Sequence, residues 1–216
     1  MDDFQNTKWF AALCETSTVK SYRRGEIIRP FGDPSDFIGL IIEGRASAIS
    51  YSIDGQQTHL NDYEPGQFTG LTSLLTEDTV CAEVSALSQL SLRLISRTAM
   101  LDLLRRDTAL TERVIHELSD RLNITLTELR DVHTLSVKGR ICAELIRLSA
   151  PIGINPDQHI IRPNPVLVDI ARRLNSSRET VSRTVSDLIS RDILSREPGA
   201  LIVQNPMRLE EAVTAF

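Results

Sequence analysis

The residues with the most evident chemistry lie in Ser177-Arg178-Glu179-Thr180-Val181-Ser182-Arg183. On a helix, Val181, Val185, Leu188 and Ile189 make one apolar stripe. Arg178, Glu179, Ser182 and Arg183 then fall on the opposite or flanking faces, close to the helix start. A guanidinium fork grips guanine O6 and N7 with two hydrogen bonds, and a carboxylate accepts from cytosine N4. The N-terminal end of a helix lying in the major groove is where such side chains meet base edges. The same residues also suit a solvated helix face, with Glu179 and Arg183 as an i,i+4 pair. The elements around the helix decide between the two.

Upstream, Val166 to Leu174 reads as a short helix that buries Leu167, Ile170, Ala171 and Leu174. The small Ala171 lets a second helix approach closely. Asn175 stands at the turn between the two, and asparagine tolerates the left-handed conformation such a turn needs. Ser176 or Ser177 supplies an N-cap, with Glu179 or Thr180 near capping-box spacing. Pro163-Asn164-Pro165 stops any earlier helix and lets a new one begin. Downstream, Ile193 to Val203 reads as strand, Pro198-Gly199 turn, strand, which is the wing of a winged helix-turn-helix. Arg196 stands near the tip of that wing, where a phosphate contact would position the protein without reading sequence.

Further back, the spacing of Ile115, Leu118, Leu122, Thr125, Leu129 and Val132 alternates three and four, the a/d pattern of a coiled-coil seam. A helix of about 27 residues here would be about 40 Å long. Its stripe predicts a parallel partner from a second copy; the alternative is an intramolecular core helix. Ser136-Val137-Lys138-Gly139 breaks the period and is the candidate hinge. Arg140 to Ser149 is a further amphipathic helix, ended by Pro151 and Gly153, and Asn155-Pro156-Asp157 reads as a turn.

From Val19 to Arg97 the chain is cut by Gly25, Gly32, Gly44, Gly55, Gly66 and Gly70 into short apolar runs. These include Glu26-Ile28, Phe37-Ile42, Ala46-Tyr51 and the partly alternating Ala82-Ile95. Asp33-Pro34 is a turn, and Asp54-Gly55 between two runs predicts a hairpin. Regular short strands of this kind predict a small all-β barrel or sandwich. The fold class is therefore α+β: an N-terminal antiparallel β-roll over 1–107, a dimerisation helix over 108–136, and a winged helix-turn-helix over 137–216.

The net charge of −5 does not by itself suggest a polyanion partner. Residues 138–216 carry eleven Lys/Arg against nine Asp/Glu, whereas residues 1–137 carry thirteen against twenty. An acidic half joined to a mildly basic half fits a sensor joined to a DNA reader. Cys14, Cys81 and Cys142 are too far apart for a disulfide framework or a CxxC metal motif, and no metal site is expected. No nucleophile elbow, P-loop, dinucleotide fingerprint or HExxH motif is present, so an enzyme is not expected. Without a secretory leader or a membrane-length apolar run, the expectation is a cytoplasmic protein without membrane contact.

The sequence of these features resembles the CRP/FNR family of bacterial transcription regulators. Ser177 to Arg183 is similar to the family's recognition helix, Lys138-Gly139-Arg140-Ile141 to the start of its DNA-binding domain, and Gly25-Glu26, Gly32-Asp33-Pro34, Gly44 and Gly66 to its β-roll turns. The resemblance implies a homodimer that binds double-stranded DNA and acts with RNA polymerase. It implies Ser177, Arg178, Glu179, Ser182, Arg183 and Arg196 as the DNA-binding set, on a palindrome of the TGTGA or TTGA type. An Arg-Glu pair opening the helix favours TGTGA. Leu167 departs from the pattern, since CRP-like members carry a phosphate-contacting arginine there.

Members that bind cAMP hold its phosphate with a Gly-Glu pair on a short helix and an Arg-Ser or Arg-Thr pair soon after. Here Phe68-Thr69-Gly70 is followed by Leu71 in the glutamate's place, and Val80-Cys81 replaces the arginine and hydroxyl pair. No arginine lies between Arg45 and Arg93, so nothing nearby in sequence restores the charge. An uncompensated phosphate in an apolar pocket is costly. The pocket formed by Phe68, Gly70, Leu71, Val80 and Cys81 is thus read as degenerate, with cAMP disfavoured and the effector left unnamed. Thr125 aligns with a threonine that contacts adenine in cAMP-binding members, but an inward seam position accounts for it more simply. Cys14 alone does not supply the roughly four thiolates of an iron–sulfur cluster, and His59, His116 and His133 show no haem-ligand pattern. No cofactor is expected. A constitutive DNA binder with a vestigial sensor, or redox control through Cys81, stands as the alternative.

Overall fold

The computed structural model describes residues 4–33, 36–75, 82–152 and 155–215. The chain divides into two compact units, Met1–Asn123 and Ile124–Phe216, with the boundary inside one long helix.

The first unit contains α1 (Lys8–Glu15), β1 (Ser17–Tyr22), β2 (Ile27–Arg29), β3 (Phe37–Glu43), β4 (Ala46–Tyr51), β5 (Gln57–Tyr63), β6 (Phe68–Thr69), β7 (Glu83–Ala86), β8 (Leu90–Ser96) and α2 (Arg97–Arg106). It ends in the first part of α3 (Thr108–Thr134). The strands form two antiparallel sheets, ordered β1-β8-β3-β6 and β2-β7-β4-β5. Strand β3 is covered on both faces. Ile38 and Leu40 pack with Trp9, Leu13, Met100, Leu110 and Val114 from the helices. Ile41 packs with Leu90, Leu92, Ala48 and Val84 between the sheets. A strand covered on both faces reads as a continuous apolar run, which is why Phe37 to Ile42 does not alternate. The expected hairpin forms between β4 and β5, where Ser52 donates its amide to the Gln56 carbonyl at 2.9 Å. Pro34 lies outside the described residues.

Helix α1 was not foreseen from the glycine-cut pattern. Thr7 caps it by accepting from the Phe10 amide at 3.3 Å, and Trp9 and Leu13 are buried. The unpunctuated stretch after Thr98 is two helices. Asp107 closes α2 with its amide on the Leu103 carbonyl, and its carboxylate accepts from the Leu110 amide at 3.0 Å to cap α3. One side chain thus breaks a helical run that contains no Gly or Pro. Helix α3 is 27 residues long, and its first half buries Leu110, Val114 and Glu117.

The second unit continues through α4 (Val137–Leu148), β9 (Ala150–Ile152), β10 (Asn155–Ile161), α5 (Leu167–Arg173), α6 (Arg178–Ser190), β11 (Leu194–Glu197), β12 (Ala200–Val203) and α7 (Pro206–Ala215). Its sheet runs β11-β12-β10-β9. Asn155-Pro156-Asp157, expected as a turn, belongs to β10, with Asn155 opposite Ile152. The ladder is irregular between Asn155 and His159, which is where a strand accommodates a proline without an N–H.

The candidate hinge is built into α4. Ser136 caps the helix by accepting from the Gly139 amide at 3.0 Å. Gly139 is buried in the first turn, and a Cβ there would stand 2.3 Å from the Val213 carbonyl oxygen. The glycine therefore marks a close helix-helix approach rather than a swivel. Gly139→Ala is expected to cost about 1–3 kcal/mol through overpacking. That is about 2–4 °C in melting temperature for each kcal/mol. Thermal melting monitored by circular dichroism checks this; an unchanged melt would mean α7 does not seat against this turn.

Candidate nucleic-acid interface and sensor interior

In the second unit, α5 and α6 pack through one apolar cluster that contains Ile170, Ala171, Val181, Val185 and Leu188, with Leu167, Leu174 and Ile189 partly buried against it. The turn between them takes the form its residues demand. Asn175 has φ 48°, and the Ser176 amide donates back to the Ala171 carbonyl at 2.8 Å. Ser177 caps α6 by accepting from the Thr180 amide at 3.1 Å. Thr184 is buried inside the apolar stripe, where its hydroxyl donates to the Thr180 carbonyl at 2.9 Å.

This packing turns Ser177, Arg178, Glu179 and Arg183 outward, all exposed, and leaves Ser182 half-buried. Glu179 is held below the usual carboxylate range by its own backbone amide at the helix start, then by the Ser177 hydroxyl and the nearby Arg178 and Arg183 charges. It is thus a charged acceptor flanked by two cationic forks. Arg196 is exposed at the end of β11, beside the Pro198-Gly199 turn. The motif's six residues share one unit, on the capped start of α6 and on the adjoining wing.

The sequence reading missed the anchor beneath this motif. Glu144 of α4 is buried and forms ion pairs with Arg147 and, at 3.4 Å, with Arg173 at the end of α5. Ionic tethering of α5 to α4 was not legible, because the partners lie 29 positions apart.

On α3 the seam residues are exposed: Ile115 58%, Leu118 37%, Leu122 59%, Leu129 53% and Val132 56%, with Thr125 exposed as well. Ile124 and Leu126 are exposed beside them. Other residues of the same helix hold the β-domain. Glu117 is buried, accepts from the Phe68 amide at 2.9 Å and pairs with Arg121, and Arg121 also donates to the Phe68 carbonyl. Arg121 further stacks over the Tyr63 ring at 4.7 Å. The backbone of β6 is thus clamped to the helix that carries the seam.

Burial pushes the Glu117 carboxyl up, against the opposing pull of Arg121, the Phe68 amide and Arg113. An acid with a raised folded value binds more protons when folded, so its contribution to stability is present at low pH and is lost as pH rises through that value. Glu117→Gln is expected to flatten that decline above the ordinary carboxylate range. Urea midpoints of both proteins from about pH 4.5 to 7.5 check it, and parallel profiles would sink the assignment.

Of the expected effector pocket, Phe68 and Leu71 are buried and Gly70 starts a 3-10 turn with φ 84°. Val80 and Cys81 lie outside the described residues. The reading that nothing restores a positive charge here needs correcting. Arg29 of β2, 41 positions before Gly70 in the chain, is 1% exposed and lies against that glycine. A Cβ on Gly70 would stand 2.6 Å from its Nη1. Packing between β2 of one sheet and the turn after β6 of the other, not sequence proximity, brings the guanidinium there. A separate apolar cavity of about 440 Å³ lies between the 3-10 turn, α2 and α3, lined by Leu71, Leu74, Leu104, Val114, Ile115 and Leu118 among others. Cys142 is buried in the winged unit and its thiol is pushed up to about 11 by desolvation. A thiol with that value is almost wholly protonated at neutral pH and does not act as a nucleophile.

Among the described residues there is no cluster of His, Cys, Asp and Glu able to hold a metal, and no helix is long and apolar enough to cross a membrane.

A β-roll joined through a long helix to a winged helix-turn-helix defines a class of two-domain, DNA-reading regulators. The cyclic nucleotide-binding domain model matches residues 19–107, and the Crp-like helix-turn-helix domain model matches residues 139–212. The chain belongs to the CRP/FNR family of transcription regulators. It is 22% identical over 200 residues to the CRP-like cAMP-activated global transcriptional regulator of Mycobacterium tuberculosis, covering 92% of this chain and 89% of that one. It is 27% identical over 190 residues to the cyclic AMP receptor protein of Thermus thermophilus, covering 88% and 85%. Among solved structures, a mutant of CooA from Carboxydothermus hydrogenoformans matches with a TM-score of 0.83 at 16% identity, covering 98% and 94%. The c-di-GMP-responsive global regulator CLP of Xanthomonas campestris matches with a TM-score of 0.73 at 23% identity, covering 90% and 97%.

Proposed function

We propose that this regulator works as a homodimer that binds a palindromic site of the TGTGA or TTGA type, under control of a signal received in the β-roll. The observation that carries the reading is the outward row of Ser177, Arg178, Glu179 and Arg183 on the capped start of α6. A helix held this way presents its N-terminal side chains to the major groove, and Arg196 on the wing reaches the flanking backbone. The apolar seam of α3 supports the dimer. A second copy covers it in parallel and sets two recognition helices about 34 Å apart, one turn of DNA. Bound upstream of a promoter, such a dimer meets RNA polymerase.

The signal in this reading is not cAMP. Leu71 stands where cAMP-binding members place a glutamate, and an apolar side chain there gives the nucleotide no hydrogen-bond acceptor. The roll carries the signal to DNA by shifting α3, which Glu117 and Arg121 tie to the backbone of β6.

The test is fluorescence anisotropy of the full chain on a labelled TGTGA palindrome and on a scrambled duplex, at about 150 mM salt. At that salt, binding through phosphates alone is weak. Preference for the palindrome by about 10³-fold or more is expected. Equal affinity for both duplexes would sink the sequence-specific reading. Addition of cAMP is expected to leave the midpoint unchanged.

A further inference from the structure

Helix α5 is seven residues long and starts at Val166 without a side-chain cap. So short a helix owes its order to packing. Its inner residues Ile170 and Ala171 share one apolar cluster with Ile141 and Leu145 of α4 and with Val181 and Val185 of α6. Apolar contact is non-directional, so it keeps α5 in the cluster without fixing its rotation or its slide along α4. A charge-assisted hydrogen bond is directional, and Glu144 supplies one. The Glu144 side chain is 1% exposed. One carboxylate oxygen takes Arg147 of its own helix, and the other takes Arg173, the last residue of α5, at 3.4 Å.

Arg173 stands where the two helices of the motif part. Leu174 follows as the helix cap, Asn175 turns with φ 48°, and Ser177 caps the start of α6. A rotation of α5 at this end is therefore passed on to Ser177, Arg178 and Glu179. Bidentate contacts to base edges need fixed geometry, and a misplacement of about 1 Å is costly to such a constellation. The energetics point the same way. A buried ion pair adds little to stability compared with apolar residues of the same volume, whereas fixing one arrangement among several is a role that buried charges can fill.

We infer that Glu144 is a positioning residue for DNA recognition: through Arg173 it fixes the end of α5, and with it the outward row on α6. This rests on the reading of α6 as the recognition helix. Glu144 is buried and acts only through Arg173. Arg147 occupies the second oxygen from within α4 and does not join the two helices.

The experiment compares the full chain with Arg173→Met, Arg173→Lys, Glu144→Gln and Arg147→Met. Each is titrated by anisotropy on the palindrome and on the scrambled duplex, well below its melting transition. Amide hydrogen exchange is followed on the free proteins. Arg173→Met removes the link but leaves Glu144 paired with Arg147, so the fold is expected to persist, with a melting temperature lower by no more than about 4 °C. Its preference for the palindrome is expected to fall by about tenfold or more, through affinity for the palindrome alone. Amides of residues 175–180 are expected to exchange faster, while those of α4 and β12 keep wild-type rates. Arg173→Lys keeps the ion pair, and because the link is a single bond its preference is expected to stay within about threefold of wild type. Arg147→Met is expected to change neither readout. Glu144→Gln separates positioning from a direct contact. If Arg173 itself gripped a phosphate, Glu144→Gln would keep or strengthen binding; loss of the link lowers the preference as Arg173→Met does. Glu144→Gln also carries the test if Arg173→Met does not fold. The proposal is overturned if these two variants keep the wild-type preference or weaken both duplexes alike. It is overturned equally if Arg173→Lys or Arg147→Met behaves as Arg173→Met, or if exchange at the turn is unchanged. A wild-type protein that ignores the palindrome loses the DNA reading, and exchange at the turn in Arg173→Met then decides by itself whether the pair positions α6.

Discussion

Leu122→Lys is expected to turn the protein into a monomer and to lower its affinity for a palindrome by about 10²- to 10⁴-fold. Leu122 is 59% exposed at the middle of the α3 seam, with Leu118 and Thr125 to either side. A lysine there would bring two ammonium groups together inside an apolar interface, each removed from water without a partner. The DNA effect is expected to exceed the direct effect on the helix because the proposed dimer binds two half-sites through linked modules. Losing the link removes the effective concentration that multiplies two modest affinities. The substitution is far along α3 from Leu110 and Val114, which hold the helix to the β-domain, so the fold of each chain is expected to persist. Sedimentation velocity and anisotropy on the same samples check it. A variant that sediments as a dimer and binds with wild-type affinity would remove the seam from the mechanism.

Arg178→Ala and Arg183→Ala carry the second large effect. Each removes a guanidinium fork from an exposed helix start without touching the buried Val181, Val185 and Leu188. Loss of a bidentate contact to guanine is worth about 1–3 kcal/mol of discrimination, or roughly 5- to 150-fold. In a dimer each substitution acts at both half-sites, so the effect is counted twice when the sites are independent. The expected result is a fall in affinity for the palindrome with little change on scrambled DNA, and an unchanged melting temperature. Arg196→Ala differs in kind: loss of a phosphate contact weakens binding to all sequences alike and reduces the salt dependence by about one ion per half-site. Competition titrations at two salt concentrations separate the two behaviours. If Arg178→Ala weakened both duplexes equally, that side chain would be a backbone contact and the half-site would be read elsewhere.

The proposed coupling between the halves rests on different residues. Glu117 and Arg121 hold the β6 backbone to α3, so in the proposed mechanism a shift in β6 would move the helix. That arrangement would give the proposed signal in the roll a physical route to the geometry of the proposed dimer, which is what linkage between two sites requires.

The sequence alone determined the features set by local chemistry. The α5–α6 pair followed from a 3.6-residue apolar period with Asn175 and Ser177 at the turn, because turn and cap preferences act over three or four residues. The β4–β5 hairpin followed from Asp54-Gly55 for the same reason, and the outward polar face of α6 followed once its apolar stripe was fixed. The exposed apolar stripe of α3 was legible because a heptad repeat is written along one element. What the tertiary structure decided is set by contacts between distant positions. Glu144 meets Arg173 only because α4 and α5 pack together. Gly139 has the sequence look of a hinge, and the Val213 carbonyl makes it a packing position. Asn155-Pro156-Asp157 has turn chemistry, yet pairing with β9 draws it into a strand. Arg29 is one residue of a three-residue strand, indistinguishable in sequence from a surface arginine. Packing of one sheet on the other brings β2 and the turn after β6 together, and the electrostatic character of the interior is decided there, because charge acts through space and not along the chain.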